Sequence, residues 1–216
     1  MKTIHLPLIQ SNPSIYTDVK DTLESGALVC FPTPSGYKLA ADFTSAKAIM
    51  GMIQAKRRVK NAPSLVLVPD TKWVEEIAAQ ISSDAKTLME TFWPGPLTLL
   101  LLAHQELPSN VKKALTGAKG WLGVRLPDDE VSKNILRVFG KPIIVSSANL
   151  AKKHGSHSVA QIKKNFGRTV DIMIDAGDLP PPKNSTLVDM TKDSTSLVVR
   201  AGMISEAQIM QALHFA

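Results

Sequence analysis

The sequence has one cysteine, no long apolar segment and no export signal. Because Cys30 is the only cysteine among 216 residues, no internal disulfide can form, and its place in the apolar run 27–31 indicates a buried, inert thiol. The densest apolar run, 97–103, is far shorter than the roughly 20 residues of a membrane-spanning helix. Residues 1–10 lack the apolar core and basic flank of a secretory signal. We therefore predict a soluble cytoplasmic protein without membrane contact.

The common catalytic signatures are absent as well. The sequence has no phosphate loop ending in Gly-Lys-Ser/Thr, no Gly-x-Gly-x-x-Gly, no His-Glu-x-x-His, no Cys-x-x-Cys and no Gly-x-Ser-x-Gly elbow. Its five histidines are scattered, and the one close pair, His154 and His157, is more typical of a solvated loop than of a metal site. We predict no metal bound by the protein itself.

What is present is a globular composition with a basic surplus. Hydrophobic residues make up 44% of the chain and charged residues 20%, which is typical of a folded protein. The 25 Lys and Arg outnumber the 19 Asp and Glu by six, and such a surplus attracts polyanions such as nucleotides and RNA. A solvated basic surface explains the charge equally well on its own.

Helical and strand-like apolar patterns alternate along the whole chain. Short apolar runs predict strands at 27–32, 64–69, 97–102, 122–125, 142–146, 171–174, 186–189 and 196–200. Apolar spacings of three and four predict helices at 14–25, 44–53, 71–80, 84–92, 110–115, 130–139, 159–165 and from Ser205. The alternation predicts an α/β fold, with helices covering a sheet and functional groups on loops that leave strand ends. The length fits a single domain over residues 1–216, and the proline-rich stretch 179–182 is predicted to be a flap.

Two segments offer cations and hydroxyl groups beside predicted strand and helix ends. In 32–37, prolines fix a turn in which Thr33 and Ser35 supply hydroxyl groups and Tyr37 supplies a ring for stacking. At 56–58, Lys-Arg-Arg ends a helix, where side chains two residues apart could direct two cations toward a triphosphate. An ordinary turn and a helix-end charge cluster are the alternative explanations.

Three further polar segments lie beside predicted strands. Arg125 ends a buried strand and needs a carboxylate, a phosphate or water, so a structural ion pair is an equally good explanation. The segment 146–149, Ser-Ser-Ala-Asn, suits close approach by a phosphate or an Asx-type turn that caps a helix. Arg200 ends another strand, before a glycine. These groups form one site only if the fold brings them together.

Taken in order, seven blocks of sequence resemble the YrdC-like family of threonylcarbamoyl-AMP synthases. The blocks are PTxSxYxL at 32–39, KxR followed by Pro at 56–63, WPGPLTLLL at 93–101, GVRLP at 123–127, SSAN at 146–149, STLVD at 185–189 and VVRAG at 198–202. They span nearly the whole chain, and WPGPLT and SAN at this spacing are the most specific of them.

The resemblance implies a twisted mixed sheet flanked by helices, with a large basic concave face. Longer family members add a C-terminal domain that a chain of this length is too short to hold, so none is expected here. The resemblance also implies a nucleotidyltransferase that makes threonylcarbamoyl-AMP from L-threonine, bicarbonate and ATP, with Mg²⁺ accompanying the ATP. Because the product serves threonylcarbamoyladenosine formation in tRNA, the implied partners extend to tRNA, double-stranded RNA and tRNA-modification proteins.

The resemblance further implies roles for individual residues. The implied catalytic cations, at the phosphates and bicarbonate, are Lys56 and Arg58. The implied threonine-binding residues are Thr33 and Arg125. The implied nucleotide-binding residues are Lys60, Ser147, Asn149 and Arg200. The residues implied in stacking or positioning are Ser35 and Tyr37.

The chain departs from catalytic members of the family at positions of the cleft. The departures are Pro34 for an acidic residue, Lys38 for glycine, Val59 for proline, Ala62-Pro63-Ser64 for Lys-Pro-Leu, and Ala151-Lys152 for Ser-Gly. Lys38 places a long side chain where close backbone approach was possible. Residues 35–37 are similar to the paralogous YciO-like branch, so a second hypothesis is a non-catalytic paralogue that binds double-stranded RNA, tRNA or a nucleotide through the basic cleft. A third is the same carbamoyl-adenylate chemistry with another amine.

Overall fold

In a computed structural model, the residues described are 1–7, 14–56, 64–107, 112, 115, 116, 120–150, 155–191 and 197–214. The strands in these ranges are β1 (Lys2–His5), β2 (Val29–Phe31), β3 (Lys38–Asp42), β4 (Leu65–Leu67), β5 (Leu97–Leu102), β6 (Trp121–Arg125), β7 (Ile143–Ser147), β8 (Ile172–Asp175), β9 (Thr186–Asp189) and β10 (Leu197–Arg200). The helices are α1 (Ile15–Glu24), α2 (Ala46–Ala55), α3 (Lys72–Ile77), α4 (Ser83–Phe92), α5 (Glu130–Phe139), α6 (Val159–Phe166) and α7 (Glu206–His214).

These strands form one continuous sheet, in the spatial order β1-β8-β2-β3-β7-β4-β6-β5-β9-β10. Parallel pairing joins β1 to β8, β8 to β2, β4 to β6 and β5 to β9. The other neighbouring pairs are antiparallel. The mixed sheet flanked by helices that the family resemblance implied is therefore confirmed.

The helices cover the two faces of the sheet unequally. Apolar side chains of α1 and α5 pack on one face against β1, β2 and β8, forming a core that includes Val19, Phe31 and Phe139. On the opposite face, α2, α3, α4, α6 and α7 pack over the length of the sheet, forming a larger core that includes Ile49 and Leu88. Because two of the helices in the described ranges pack on the first face and five on the other, the first face offers more room for a binding site.

Most predicted elements are confirmed, several to the residue, but two strands were missed. β3 has two alanines and no β-branched residue, and it follows a turn rich in proline and glycine, so its sequence favours a loop over a strand. β1 is an edge strand of four residues with one buried side chain, too short for a clear alternation. The helix predicted at 110–115 lies largely outside the described residues.

Local chemistry explains where several elements begin and end. Ser45 begins α2 by accepting a hydrogen bond from the Ala48 amide, 3.2 Å away. Cys30 is buried as predicted, and burial raises the pKa of its thiol to about 12, so the thiolate does not form at neutral pH. No helix among the described residues has the length and apolar character needed to cross a bilayer.

Gly202 is a position where the fold leaves no room for a side chain. A Cβ atom there would overlap the backbone of Ser185 and Thr186 and lie 2.6 Å from the Asn184 oxygen. We expect Gly202→Ala to lower the free energy of unfolding by roughly 2 kcal/mol or more, because backbone atoms cannot move aside cheaply. Gly51→Ala is the matched control, since outside its chain neighbours and the adjacent backbone of α2 no atom lies within 4 Å of its Cβ position, and alanine favours helix. Equal urea midpoints for the two variants would contradict this packing.

Candidate anion-binding site

Strand register places Lys38 on the same face of the sheet as two predicted site residues, Ser147 and Arg125. Lys38 pairs with Ser147 between β3 and β7, and Leu67 of β4 pairs with both Ile143 of β7 and Arg125 of β6. Residues opposite each other across a ladder share a face, as do residues two apart along a strand. Lys38, Ser147 and Arg125 therefore lie on the same face, which is the one that α1 and α5 cover only in part.

This face opens into a cavity of about 490 Å³, which we call the cationic cavity. It is lined by Ser35, Lys38, Ser64, Leu65, Val145, Ser146, Ser147, Asn149, Gly155, Ser156, His157, Pro182, Asn184 and Arg200. The residues come from the 32–37 turn, from β3, β4, β7 and β10, and from the loops around 155 and 183. The site thus lies across the sheet surface as well as at the strand ends where it was predicted.

Lys38 extends into the cavity with little support from the protein. Its Nζ donates to the Ser35 carbonyl at 3.3 Å. Burial, followed by the positive charges of Arg125 and Arg200, lowers the pKa of the Lys38 ammonium from 10.5 to about 8. The two guanidinium groups are therefore close enough to Lys38 to repel its charge.

Arg125 is buried and is oriented by the WPGP turn. Its Nε donates to the Gly95 carbonyl at 2.8 Å, and its Nη2 lies 3.2 Å from the Asp128 carboxylate. Burial lowers the pKa of Arg125, while Asp128 and Asp129 act in the opposite direction. Because an arginine keeps its proton at physiological pH, the group remains a cation. The structural ion pair considered from the sequence is present, although Asp128 is half exposed to solvent.

Arg200 lies at the exposed rim of the cavity. Its Nη2 donates to the Ser185 carbonyl at 3.0 Å and to the Ser185 hydroxyl at 3.2 Å. The Ser185 hydroxyl in turn lies 2.9 Å from the Thr98 hydroxyl, in the buried part of the sheet. The STLVD and VVRAG blocks therefore meet in space, where one positions the arginine of the other.

Lys56 ends α2 and is connected to the SSAN block. Its side chain is buried, and its ammonium donates to the Ser147 carbonyl and lies 3.4 Å from the Ser147 hydroxyl. That hydroxyl donates to Asn149 Oδ1. Lys56, Ser147 and Asn149 thus form one hydrogen-bonded group, as convergence on a shared site requires.

Lys38, Lys56, Arg125 and Arg200 have one feature in common, which is a hydrogen bond to a backbone carbonyl. The cation and carbonyl pairs are Lys38 with Ser35, Lys56 with Ser147, Arg125 with Gly95, and Arg200 with Ser185. A carbonyl dipole orients a cation without cancelling its charge. Of these cations, Arg125 also forms a salt bridge, with Asp128. Lys38 and Arg200, which line the cavity, therefore give it a positive lining that favours anionic ligands.

Gly123 lies on the same face beside the cavity lining. It pairs with Leu65, a residue of the lining, and a Cβ added to it would lie 3.4 Å from the Thr98 methyl group, so this part of the sheet is closely packed. Cations beside the cavity suit a ligand with several negative charges, such as a nucleotide triphosphate.

Thr33 lines a different cavity from Lys38 and Arg200. Its hydroxyl donates to the Gly36 carbonyl at 2.7 Å and lies 3.2 Å from the Ser35 hydroxyl. It lines a neighbouring cavity of about 530 Å³ beside α5, whereas Ser35 lines the cationic cavity. The binding of threonine by Thr33 stays a prediction, and the hydroxyl would have to leave its bond within the turn to donate to a substrate.

Tyr37 has a different role from the stacking suggested by the sequence. The residue has no accessible surface, and its hydroxyl donates to the Gly177 carbonyl and accepts from the Ala176 amide, both at 2.8 Å. Burial raises the pKa of Tyr37 to about 12. The prediction that the Tyr37 ring stacks on a ligand is wrong, because the ring lies in the core. The structure agrees better with a positioning role, since the Tyr37 carbonyl accepts a hydrogen bond from the Ala148 amide and so fixes the start of the SSAN loop.

His157 is a cavity residue that sequence reasoning missed. It was predicted to be solvated, yet it lines the cationic cavity, and its Nδ1 is buried with no hydrogen-bond partner among the described residues. Its ring also explains Gly36, whose φ is +94° and whose added Cβ would lie 2.9 Å from His157 Cε1. Its place in a short polar loop after the SSAN block was the one signal that the sequence offered.

Several predicted positions lie outside the described residues. These are Arg58, Lys60, Val59, Ala62, Pro63, Ala151 and Lys152, together with His154. The predicted flap is described, and it borders the cavity. The Lys183 amide donates to the Pro34 carbonyl at 3.0 Å and the Leu179 amide to the His157 carbonyl at 2.9 Å.

Fold and site together define a class, namely an α/β protein whose cavity has a cationic lining. A family model described as "Telomere recombination" and named Sua5_yciO_yrdC matches residues 21–202. The chain belongs to this Sua5/YciO/YrdC family, as the seven sequence blocks indicated.

Individual relatives carry names that bear on function. A threonylcarbamoyl-AMP synthase of Neisseria gonorrhoeae is 31% identical over 152 residues, which cover 70% of this chain and 78% of that protein. The structure of Pyrococcus abyssi Sua5 complexed with L-threonine has a TM-score of 0.81 at 26% identity, covering 92% of this chain and 57% of that one. The chain spans about half the length of a curated threonylcarbamoyl-AMP synthase from the same organism.

A solved structure of the paralogous branch also has this fold. Escherichia coli YciO gives a TM-score of 0.79 at 22% identity, with 96% of this chain and 98% of that one covered. At this identity the similarity concerns the fold alone. Both branches considered from the sequence therefore share the architecture described above.

The crowding of cations should be measurable as a cost to stability. Because the folded-state pKa of Lys38 lies below its unfolded value, the cost is complete below about pH 8 and disappears as the pH rises toward 10.5. We expect Lys38→Met to raise the free energy of unfolding at pH 7 by on the order of 1 kcal/mol, with solvent screening limiting the gain. The difference from the wild type should shrink between pH 8 and 10.5 in urea titrations at low salt.

Lys38→Arg is the matched control for this measurement. Arginine keeps the charge at every pH tested, so this variant should gain no relief from the repulsion as the pH rises. A methionine variant that is less stable than the wild type at pH 7 would contradict the described crowding.

Proposed function

We propose that the protein synthesises threonylcarbamoyl-AMP from L-threonine, bicarbonate and ATP, as a nucleotidyltransferase that releases pyrophosphate. The observation that carries the proposal is the cationic cavity, which Lys38 and Arg200 line. Arg125 lies close enough to act on the charge of Lys38, and Lys56 is hydrogen-bonded to Ser147 of the lining. The names of relatives similar over most of the chain, and the L-threonine complex of a similar structure, support the choice of substrates.

The proposed reaction consists of two bond-forming steps on anions. The threonine amine and bicarbonate form a carbamate with loss of water, and a carbamate oxygen then attacks the α-phosphorus of ATP while pyrophosphate leaves. Both steps bring negative groups together, so the principal task of the protein is to hold them close and to stabilise the developing charge. Mg²⁺ enters the proposal with the triphosphate, whose oxygens it prefers as ligands.

Within this scheme, the described residues divide the substrates between them. Arg125 is proposed to hold the threonine carboxylate, for which a planar guanidinium suits bidentate contact. Lys56 is proposed to act at the phosphates and bicarbonate, and Ser147, Asn149 and Arg200 to hold the nucleotide. The proposed destination of the product is threonylcarbamoyladenosine in tRNA, with tRNA and tRNA-modification proteins as partners.

A second candidate function is supported by one departure of the sequence. Lys38 occupies space in the cationic cavity where catalytic members carry glycine, and a non-catalytic paralogue that binds RNA or a nucleotide would tolerate that change. Such a protein would bind RNA with strong salt dependence and without turnover.

Pyrophosphate release separates the two candidates. With ATP, bicarbonate and Mg²⁺ present, the proposed synthase releases pyrophosphate only when L-threonine is added. Omission of bicarbonate should abolish the signal, and replacement of threonine by other amines tests the third hypothesis. Salt-sensitive RNA binding without threonine-dependent release would instead support the paralogue.

Two substitutions test the proposed roles of the cations. We expect Arg125→Ala and Lys56→Ala each to lower turnover by roughly 100-fold or more, since preorganised charge-stabilising groups contribute on this scale. Lys47→Ala is a suitable control, because this exposed lysine donates to the Ser25 carbonyl on another part of the surface. Turnover equal to the wild type in both site variants would refute the assignment.

A further inference from the structure

We propose that Lys38 is an additional anion-binding residue of the cationic cavity, and that its ammonium binds an oxyanion supplied by the nucleotide phosphates or by bicarbonate. The inference deepens the proposed function at the same site and rests on its use of anionic substrates. From the sequence, Lys38 was interpreted as a side chain that fills space in the cleft. The inference gives it a ligand-binding role instead.

The hydrogen bonds of Lys38 leave it capacity for a ligand. An ammonium has three donors, and among the described residues Lys38 Nζ has one acceptor, the Ser35 carbonyl at 3.3 Å. Arg125 and Arg200 each make at least two bonds to protein groups, with shortest distances of 2.8 and 3.0 Å. Lys38 is therefore the least satisfied of these three cations, and a ligand oxygen can replace or add to its long bond.

The charges around Lys38 also favour an anion. Arg125 faces it from β6 and Arg200 from β10, and both repel it. Carboxylates of Asp128 and Asp129 act on Arg125 instead. A partly buried cation among cations is costly unless an anion neutralises the group.

Other titratable groups lie farther along the cavity. His157 lines the same cavity, and Lys56 is separated from Lys38 by Ser147, the register partner of Lys38. Neither is among the charges that act on Lys38. Coupling between its protonation and anion binding therefore depends mainly on Arg125, Arg200 and the ligand.

Protonation and anion binding at Lys38 should be linked. In the free protein the pKa of Lys38 is about 8, and a bound anion raises it toward the ordinary value. At pH 8.5 the free group is mostly neutral and the bound group mostly charged, so binding takes up roughly 0.7 proton. An arginine at this position stays charged in both states and takes up none.

Calorimetric titration with ATP, in the absence of threonine, tests the inference on the whole chain. At pH 7 we expect Lys38→Met to weaken ATP binding by roughly tenfold or more, the scale of a lost charge-assisted hydrogen bond. Lys38→Arg should keep most of the affinity. Between pH 7 and 9.5 the affinity of the wild type should fall by roughly tenfold or more, while that of the arginine variant stays nearly constant. Buffers of different ionisation enthalpy measure the proton uptake at pH 8.5.

The source of the oxyanion is distinguished by kinetics. If the nucleotide supplies it, Lys38→Met raises the KM for ATP and leaves the KM for bicarbonate unchanged. If bicarbonate supplies it, the methionine variant binds ATP normally and the KM for bicarbonate rises instead. Either result supports Lys38 as an anion-binding residue.

Other outcomes overturn the inference. If Lys38 is only an obstruction, Lys38→Ala binds ATP more tightly than the wild type. Unchanged ATP affinity together with unchanged KM values in Lys38→Met also refutes it, as does a wild type that binds neither anion. Should the methionine variant fail to fold, the wild type and the arginine variant still differ in pH dependence, and equal profiles would refute the proposal.

Failure of the proposed function has a different signature. ATP binding that depends on Lys38, with no threonine-dependent pyrophosphate release, would remove the synthase and leave the anion-binding role in place. If threonine-dependent pyrophosphate release is the same in Lys38→Met as in the wild type, the synthase function stands and the anion-binding role of Lys38 is refuted.

Discussion

The cationic cavity depends on cations that backbone carbonyls orient, one of which, Arg125, is also paired with the half-exposed carboxylate of Asp128. Lys38, Lys56, Arg125 and Arg200 all donate to backbone carbonyls, which belong to four different segments of the chain. Each carbonyl supplies a partial negative charge at a fixed place, which orients a cation without cancelling its charge. A carboxylate at each position would have stabilised the empty cavity more strongly, and it would also have competed with every anionic ligand. The neutral acceptors explain why the site remains attractive to anions.

This constraint accounts for sequence blocks that have no charge of their own. The WPGP turn presents the Gly95 carbonyl to Arg125, and a Cβ on Gly95 would overlap the Phe92 carbonyl, so the turn accepts only glycine there. The STLVD block presents Ser185 to Arg200, and Gly202 allows the two strands to approach. Blocks far apart in the sequence therefore belong to one arrangement, in which one block carries a cation and the other carries its acceptor.

The sequence predicted most of the elements because their patterns are locally consistent. α5, for example, has an aspartate at its N-cap, a glycine in left-handed conformation at its end and a regular apolar stripe. β3 was missed because its alanines carry almost no strand preference, and its burial between β2 and β7 comes from tertiary contacts that no local pattern contains. For the same reason Tyr37 was taken as a ligand contact, since a tyrosine next to a turn looks the same in sequence whether its ring points outward or into the core.

The site was harder to predict than the fold. Which charged side chains lie close together depends on how the strands pair, and a single sequence does not show the pairing. Lys38 was treated as a departure that fills a cleft, and only its pairing with Ser147, together with the repulsion from Arg125 and Arg200, makes it part of the cation group. A glycine at this position would contribute space, whereas a lysine contributes a charge that titrates near pH 8. Substituting one for the other changes the cavity from a fixed cationic surface into one whose charge depends on pH and on its ligand. A single residue of β3 thereby links occupancy of the cavity to protonation, while the rest of the scaffold stays the same.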